Sequence, residues 1–419
     1  MECFPRYSWL DFLFAVVGVC TFLFDVGSDV WLAREFYQHG EVFWFSALLG
    51  FMLVSSVVVQ MFSWFWIQYD SQLENYEFKT SGRRVILFGD SKRVKLTCLL
   101  HICQLGFLLR HISAIWLGFC VWWRKEKGSE YAVYLTHDLS MLRLIETFCE
   151  SAPQLSLMIY IMLDTNQART IQCVSTIAST TSIAWMVVDY HRSLRSFLPE
   201  KSKQGWLSSA VYFLWNLLLI APRVVTVALF TSVLPHYVAV HFLCLWPAFV
   251  LWACLQDTNF MDSRAGEWLY RATVGLIWYF SWFNVAEGKT RGRSAIYHCF
   301  VITDSGILLF TWWWLRDPEK TQPYTLFLLI FIPLSYGTGL LIKTLYYCCF
   351  HPKLWQPVDL EKVPVDVPDG EVAGSAFVQT DTSYHDVVNK RMAKHVNSFY
   401  STRTLPMAKA NGQGEDRVV

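Results

Sequence analysis
Apolar residues run along this chain in long blocks separated by short polar connections. A helix needs about 20 largely apolar residues to cross a bilayer. Eight blocks reach that length: about 9–32, 42–66, 139–163, 171–190, 206–231, 237–257, 295–315 and 323–347. Two further blocks, VKLTCLLHICQLGFLLRHISAIWLGFCVWW (94–123) and WLYRATVGLIWYFSWFNVAEG (268–288), carry interior Arg or His. They read as helices that enter the membrane and return on the same side. The pattern predicts an all-α polytopic membrane protein: eight transmembrane helices plus two partly embedded or re-entrant ones. Each half has two spans, an embedded segment and two more spans. The halves, 1–205 and 206–350, therefore read as parallel repeats about an axis along the membrane normal.

The charges support this count. Lys79, Arg83, Arg84, Lys92, Arg93 and Lys95 occupy one loop, Arg192, Arg195, Lys201 and Lys203 a second, and Lys289, Arg291 and Arg293 a third. The loops between carry only Arg34, Arg169, Arg316 and Lys320. The positive-inside rule puts both termini in the cytosol. If either embedded segment crossed fully, the alternation would invert. The first block is too long for a signal peptide and no small-residue cleavage site follows it, so it is expected to stay as a span. Composition agrees, with 54% apolar residues, 17% aromatic residues and 20 Trp. No paired CxxC spacing occurs, so neither a zinc site nor a disulfide framework is expected.

Polar residues interrupt the apolar blocks in a pattern. Asp11, Asp25 and Asp29 are separated by fourteen and four residues. At about 100° per residue they fall within about 40° of one another, spread over roughly 27 Å of helix axis. Arg143, Glu146 and Glu150 share a face of the 139–163 block, in MLRLIETFCESAPQL, just before Pro153. Asp189, Arg223 and Asp304 lie in later spans. A charge at the bilayer centre costs at least about 2.5 kcal/mol, so these faces meet protein or water. Two readings stand at this point: buried ion pairs that hold helices together, or a hydrated polar path. Asp25, Asp29, Glu146, Glu150 and Asp304 outnumber Arg143 and Arg223, so complete internal neutralisation needs protonated acids.

There is no phosphate-binding glycine loop, no HExxH and no nucleophile elbow. ATP-driven transport and hydrolysis are unsupported, no cofactor or metal is expected, and nothing points to nucleic acid. A downhill conduit for an ion, a solute or a lipid head group remains. A secondary transporter or channel for a small solute, and a non-transporting membrane partner, stand beside the lipid reading.

The strings SMLRLIETFCESAPQLSL, VYFLWNLLLIAPRVVTVALF and LYRATVGLIWYFSWFNVAEGKTRGR resemble the XK-related proteins. The resemblance covers about 1–350 and points to members that are caspase-activated phospholipid scramblases. It implies eight spans with two partly embedded helices, and ATP-independent movement of phospholipids between plasma-membrane leaflets. In apoptotic cells that movement exposes phosphatidylserine, a signal for engulfment. The family's intramembrane polar residues correspond here to Asp11, Asp25, Asp29, Glu146, Glu150, Asp189, Arg223 and Asp304, and its outer tryptophan gate to Trp44. Carboxylates at successive depths would meet a head group's ammonium, while Arg143 or Arg223 would meet its phosphate. The resemblance also implies a single-span glycoprotein partner of the basigin or neuroplastin type.

After Pro352 the chain turns polar, and 351–382 has the Pro, Gly and acidic content of a linker. There DVPDG places Asp366, Asp369 and Gly370 in the D-x-x-D-G pattern cut by executioner caspases, and Asp381 is a weaker candidate. The resemblance to caspase-activated members implies such a site in the tail. In the following segment, 383–419, Val388, Met392, Val396 and Phe399 step along one face of an expected amphipathic helix. Such a helix, tethered at high effective concentration, is expected to autoinhibit until proteolysis frees it.

Overall fold
The computed structural model describes residues 7, 9–71, 91–123, 129–165, 170–197, 204–256, 258, 260–285 and 290–350. The expected cleavage site at Asp366, Asp369 and Gly370 and the expected helix through Val388, Met392, Val396 and Phe399 lie outside these residues. Helices account for the regular structure of the described residues: α1 (Trp9–Gln38), α2 (Val42–Ser71), α3 (Ser91–Ile102), α4 (Gly106–Trp123), α5 (Ser129–Glu146), α6 (Ala152–Asp164), α7 (Thr170–Phe197), α8 (Trp206–Val233), α9 (Pro235–Cys254), α10 (Arg264–Phe280), α11 (Thr290–Leu315) and α12 (Pro318–Leu345). One π-turn, Thr147–Ser151, joins α5 to α6, and another, Tyr346–Phe350, extends α12. Seven of the described helices are long and apolar enough to cross a membrane: α1, α2, α4, α8, α9, α11 and α12. The chain is a polytopic helical membrane protein.

The structure departs from the hydropathy pattern in two places. The block expected at 139–163 is a longer rod that starts at Ser129 and is interrupted by the π-turn. Pro153 explains the interruption. It has no N–H to give to the carbonyl four residues back, and the Ala152 N–H reaches the Thr147 carbonyl instead, a five-residue step. The block at 94–123 is two helices, α3 and α4, with a break at Cys103–Leu105. There Leu105 N–H bonds to the Leu100 carbonyl at 2.8 Å and Gln104 N–H to the His101 carbonyl at 3.1 Å. This is a Schellman cap with Gln104, at φ 63°, where Gly is usual. The left-handed conformation costs a non-glycine residue about 1–2 kcal/mol. Polar contacts to α2 offset it: Ser56 donates to the Gln104 side chain at 2.6 Å and Gln60 to its carbonyl at 3.0 Å. Ser56 is halfway along α2, and Trp122, at the far end of α4, stacks on Phe12 near the start of α1. The α3–α4 pair thus reaches the middle of the bundle and returns to the end where α1 begins.

Helix α8 is the hub. It packs against α6, α7, α9, α11 and α12, and its buried residues surround it. Pro222 inside α8 leaves the Leu218 carbonyl without its helical donor, and Ser335 of α12 supplies one at 2.9 Å. Gly339 lets α12 approach this site. A Cβ at Gly339 would lie 2.9 Å from Leu219 Cδ2 and 3.2 Å from Leu218 Cβ. Gly339→Val is therefore expected to cost roughly 1–3 kcal/mol through overpacking. A lower unfolding temperature of the detergent-solubilised protein would register it, and an unchanged one would show that the α8–α12 contact yields freely.

Candidate functional site
The polar residues of α1 face the rod α5–π-turn–α6. The Arg143 guanidinium donates to the Gly18 carbonyl, and Gln154 donates to Asp29 at 3.3 Å. Both pairs are 125 residues apart in sequence, so the two helices run parallel through the contact. Arg143 Nε lies 3.9 Å from Glu146, the two on successive turns. Glu150 is carried by the π-turn and faces Asp29 of α1 and Ser55 of α2. Asp29, Arg143, Glu146 and Glu150 are all buried, while Asp25 is half-buried. Glu146 thus lies beside the Arg143 guanidinium, and Asp29 and Glu150 lie further along the same contact between α1 and the rod.

This column has two ends. At the start of α1, Asp11 lines a cavity of about 40 Å³ with Tyr7, Phe14, Thr136, Asp189 and Arg192. The Arg192 guanidinium lies over the Phe14 ring, 4.6 Å from its centroid, and 5.2 Å from that of Trp206. At the other end, Trp44 packs edge-on against Tyr160 with ring centroids 5.4 Å apart, in a small apolar cluster with Ala33, Phe36 and Leu48. Ala33 is one turn beyond Asp29, so the Trp44 cluster closes the carboxyl column directly. The outer surface of α1 beside the column is strongly apolar and exposed, with Leu23, Phe24, Val30 and Trp31 all outward.

Arg223 and Asp304 belong to a different group. Arg223 is fully buried, and its Nη1 meets Asp304 at 2.5 Å and Ser305 at 3.0 Å. Its Nε donates to the Tyr279 carbonyl at 3.0 Å, and the guanidinium lies 5.0 Å from the centroid of that tyrosine's ring. The second Asp304 oxygen is 3.0 Å from His241 Nε2, whose Nδ1 is 2.9 Å from the Tyr279 hydroxyl. Helices α8, α9, α10 and α11 are tied together here by one closed network.

The expected nine charged residues therefore divide. Asp25, Asp29, Arg143, Glu146 and Glu150 form one cluster, Asp11 and Asp189 share the cavity at its entrance, and Arg223 pairs with Asp304. Sequence reasoning missed Gln154, although it lies eleven residues after Arg143 and hence on nearly the same helical face. It also missed Ser55, His241 and Arg192 as members of these groups. A third polar group, Arg110 with Asp138 at 3.3 Å and with Ser63, is buried between α2, α4 and α5. Asp138 lies just outside the apolar block, where nothing in the pattern marked it.

A family model described as XK-related protein matches residues 13–352. An XK-related protein 8 from Gasterosteus aculeatus is 65% identical over 95% of this chain and 98% of the relative. One from Tetraodon nigroviridis is 63% identical over 95% of this chain and 98% of the relative. One from Pan troglodytes is 39% identical over 93% and 94% of the two chains.

Proposed function
This chain belongs to the XK-related family, and from that premise we propose that it is an ATP-independent phospholipid scramblase of the plasma membrane. It is activated by caspase cleavage of its C-terminal tail and exposes phosphatidylserine on apoptotic cells for engulfment. The observation that carries the reading is the carboxyl column between α1 and the parallel rod α5–α6, beside an exposed apolar face. A lipid crosses a bilayer slowly because its head group must shed water to enter hydrocarbon. Asp25, Asp29, Glu146 and Glu150 offer the ammonium of a head group a series of partners, and Arg143 offers one to its phosphate. Asp11, Asp189 and Arg192 receive the head at one end, and Trp44 gates the other. The acyl chains stay in the bilayer beside Leu23, Phe24 and Val30. Each contact lowers the barrier without choosing a direction, so no nucleotide is needed.

The rest of the reading follows from sequence. The basic loops favour both termini in the cytosol. The α3–α4 pair and α10 are embedded helices in two parallel repeats, 1–205 and 206–350. A break between α3 and α4 beside the middle of α2 and a return beside Phe12 support the re-entrant assignment. Phospholipids, an executioner caspase and a single-span glycoprotein of the basigin or neuroplastin type are the partners.

Reconstitution tests this reading. Purified protein in liposomes carrying fluorescent phospholipids is expected to leave the leaflets unmixed when intact and to mix them after caspase treatment. Asp369→Ala protein, which has lost the residue at the cut, is expected to stay uncut and inactive under the same treatment. Activity of uncut Asp369→Ala protein would remove the tail from the mechanism. Solute flux without lipid exchange would favour the channel reading, and clipped protein that moves neither would end both.

A further inference from the structure
Near the end of α12, Lys343 is buried and has no carboxylate partner among the described residues. Its ammonium bonds to Ser294 Oγ at 2.7 Å and His298 Nε2 at 2.6 Å, both on α11, and lies 5.0 Å from the Trp215 ring centroid on α8. Two of its three N–H donors are thereby used. The imidazole must accept through Nε2 to meet an ammonium, so it offers no lone pair to another donor there. Trp215 is 2% exposed, and its indole N–H has no acceptor among the described residues. Trp215 and His298 line one cavity of about 10 Å³, together with Ser281, Trp282, Tyr297 and Tyr336. That volume admits one oxygen-sized group.

The cluster is thus rich in donors and short of acceptors, with no carboxylate beside Lys343. A buried charge without a counter-ion is costly, and an anionic oxygen would supply what is missing. Depth identifies its source. Lys343 is seven residues before Phe350, about 10 Å along the helix, and Ser294 is one turn into α11. Lys343 and Ser294 therefore lie one to two turns inside the described ends of α12 and α11, where a spanning helix approaches the head groups. Ile296, Leu341 and Leu345 flank the cluster and are exposed, as an acyl-facing surface requires.

We propose that Trp215 and His298, which line the cavity and are backed by Lys343 and its partner Ser294, form a phosphate site, in which one anionic oxygen of a phosphate group takes the open Trp215 N–H. A phospholipid head group and free inorganic phosphate share this chemistry, and the site is independent of the carboxyl column.

Thermal unfolding of the full-length protein in lipid-free detergent tests it, with phosphatidylserine or inorganic phosphate added separately. Added phosphatidylserine is expected to raise the wild-type midpoint by about 2–4 °C. Lys343→Met is expected to start from a midpoint at or above wild type, because it removes a buried charge, and to lose the response. Trp215→Phe keeps the ring and is expected to halve the response at an unchanged starting midpoint. An equal wild-type shift with inorganic phosphate would assign the site to free phosphate; a shift with the lipid alone would assign it to a head group. A Lys343→Met protein that starts lower while wild type ignores both additions would make Lys343 a strut between α11 and α12 and overturn the site. A full response retained by Lys343→Met would do the same. If Lys343→Met does not accumulate, a full response in Trp215→Phe is the overturning result.

Discussion

Asp25→Asn/Asp29→Asn protein, clipped and reconstituted, is expected to exchange labelled phospholipids about 10²–10⁴ times more slowly than clipped wild type. Each hydrogen bond to a charged group contributes about 1.5–3 kcal/mol. Removing two such hydrogen bonds from the barrier state raises it by about 3–6 kcal/mol, and every 1.4 kcal/mol is tenfold in rate. Asparagine keeps the shape and the acceptor oxygen, so Gln154 can still donate to position 29 as it does now at 3.3 Å. Folding and delivery to the cell surface are therefore expected to survive. The check is the rate at which labelled lipid becomes accessible to an outside quencher, alongside size-exclusion profiles and surface labelling. A monodisperse, surface-delivered variant that mixes leaflets at the wild-type rate would remove the carboxyls from lipid transfer. A variant retained inside the cell as misfolded chain would instead make the column a structural ion cluster.

The second large effect belongs to Arg223. Arg223→Met leaves Asp304 inside the bundle with only His241 beside it. Breaking a buried pair by removing one partner costs about 3–5 kcal/mol, whereas replacing both members with uncharged groups of similar size is often nearly neutral. The single variant is expected to accumulate poorly and to unfold at a markedly lower temperature. Arg223→Met/Asp304→Asn is expected to recover most of the loss. Failure of the double variant to recover would shift the importance of Arg223 to its bonds with the Tyr279 carbonyl and Ser305, 3.0 Å each.

These two predictions treat differently residues that looked alike in sequence. Asp25 and Asp304 are both acids inside apolar blocks, and only the company of Asp11 and Asp29 sets Asp25 apart. The helical face of Asp11, Asp25 and Asp29 was legible because one helix carries all three, so arithmetic on spacing suffices. Arg223 and Asp304 are 81 residues apart, on different helices, and only packing brings them together. His241 was invisible for the same reason. Hydropathy located the long helices well but not the interruptions. The break at Cys103–Leu105 has none of the Gly, Pro or Asn that mark turns, because Gln104 adopts the left-handed conformation with help from Ser56 and Gln60 of α2. The π-turn is half legible. Pro153 signals a disturbance, but whether it bends the helix or inserts a residue depends on neighbours. Lys343 was hidden because a lysine near the end of a span ordinarily reaches out to the interface, whereas this one turns inward to His298.

The Arg223–Asp304 pair also has a consequence for how the chain is made. Translation adds about 5–20 residues per second, so the 81 residues that separate the two take about 4–16 s to emerge. For that interval the nascent α8 holds a guanidinium whose counter-charge has not yet been synthesised. Release of α8 into lipid is therefore expected to be disfavoured until α11 arrives, so that the two are retained together. Chains truncated between the two residues would expose that arginine to quality control.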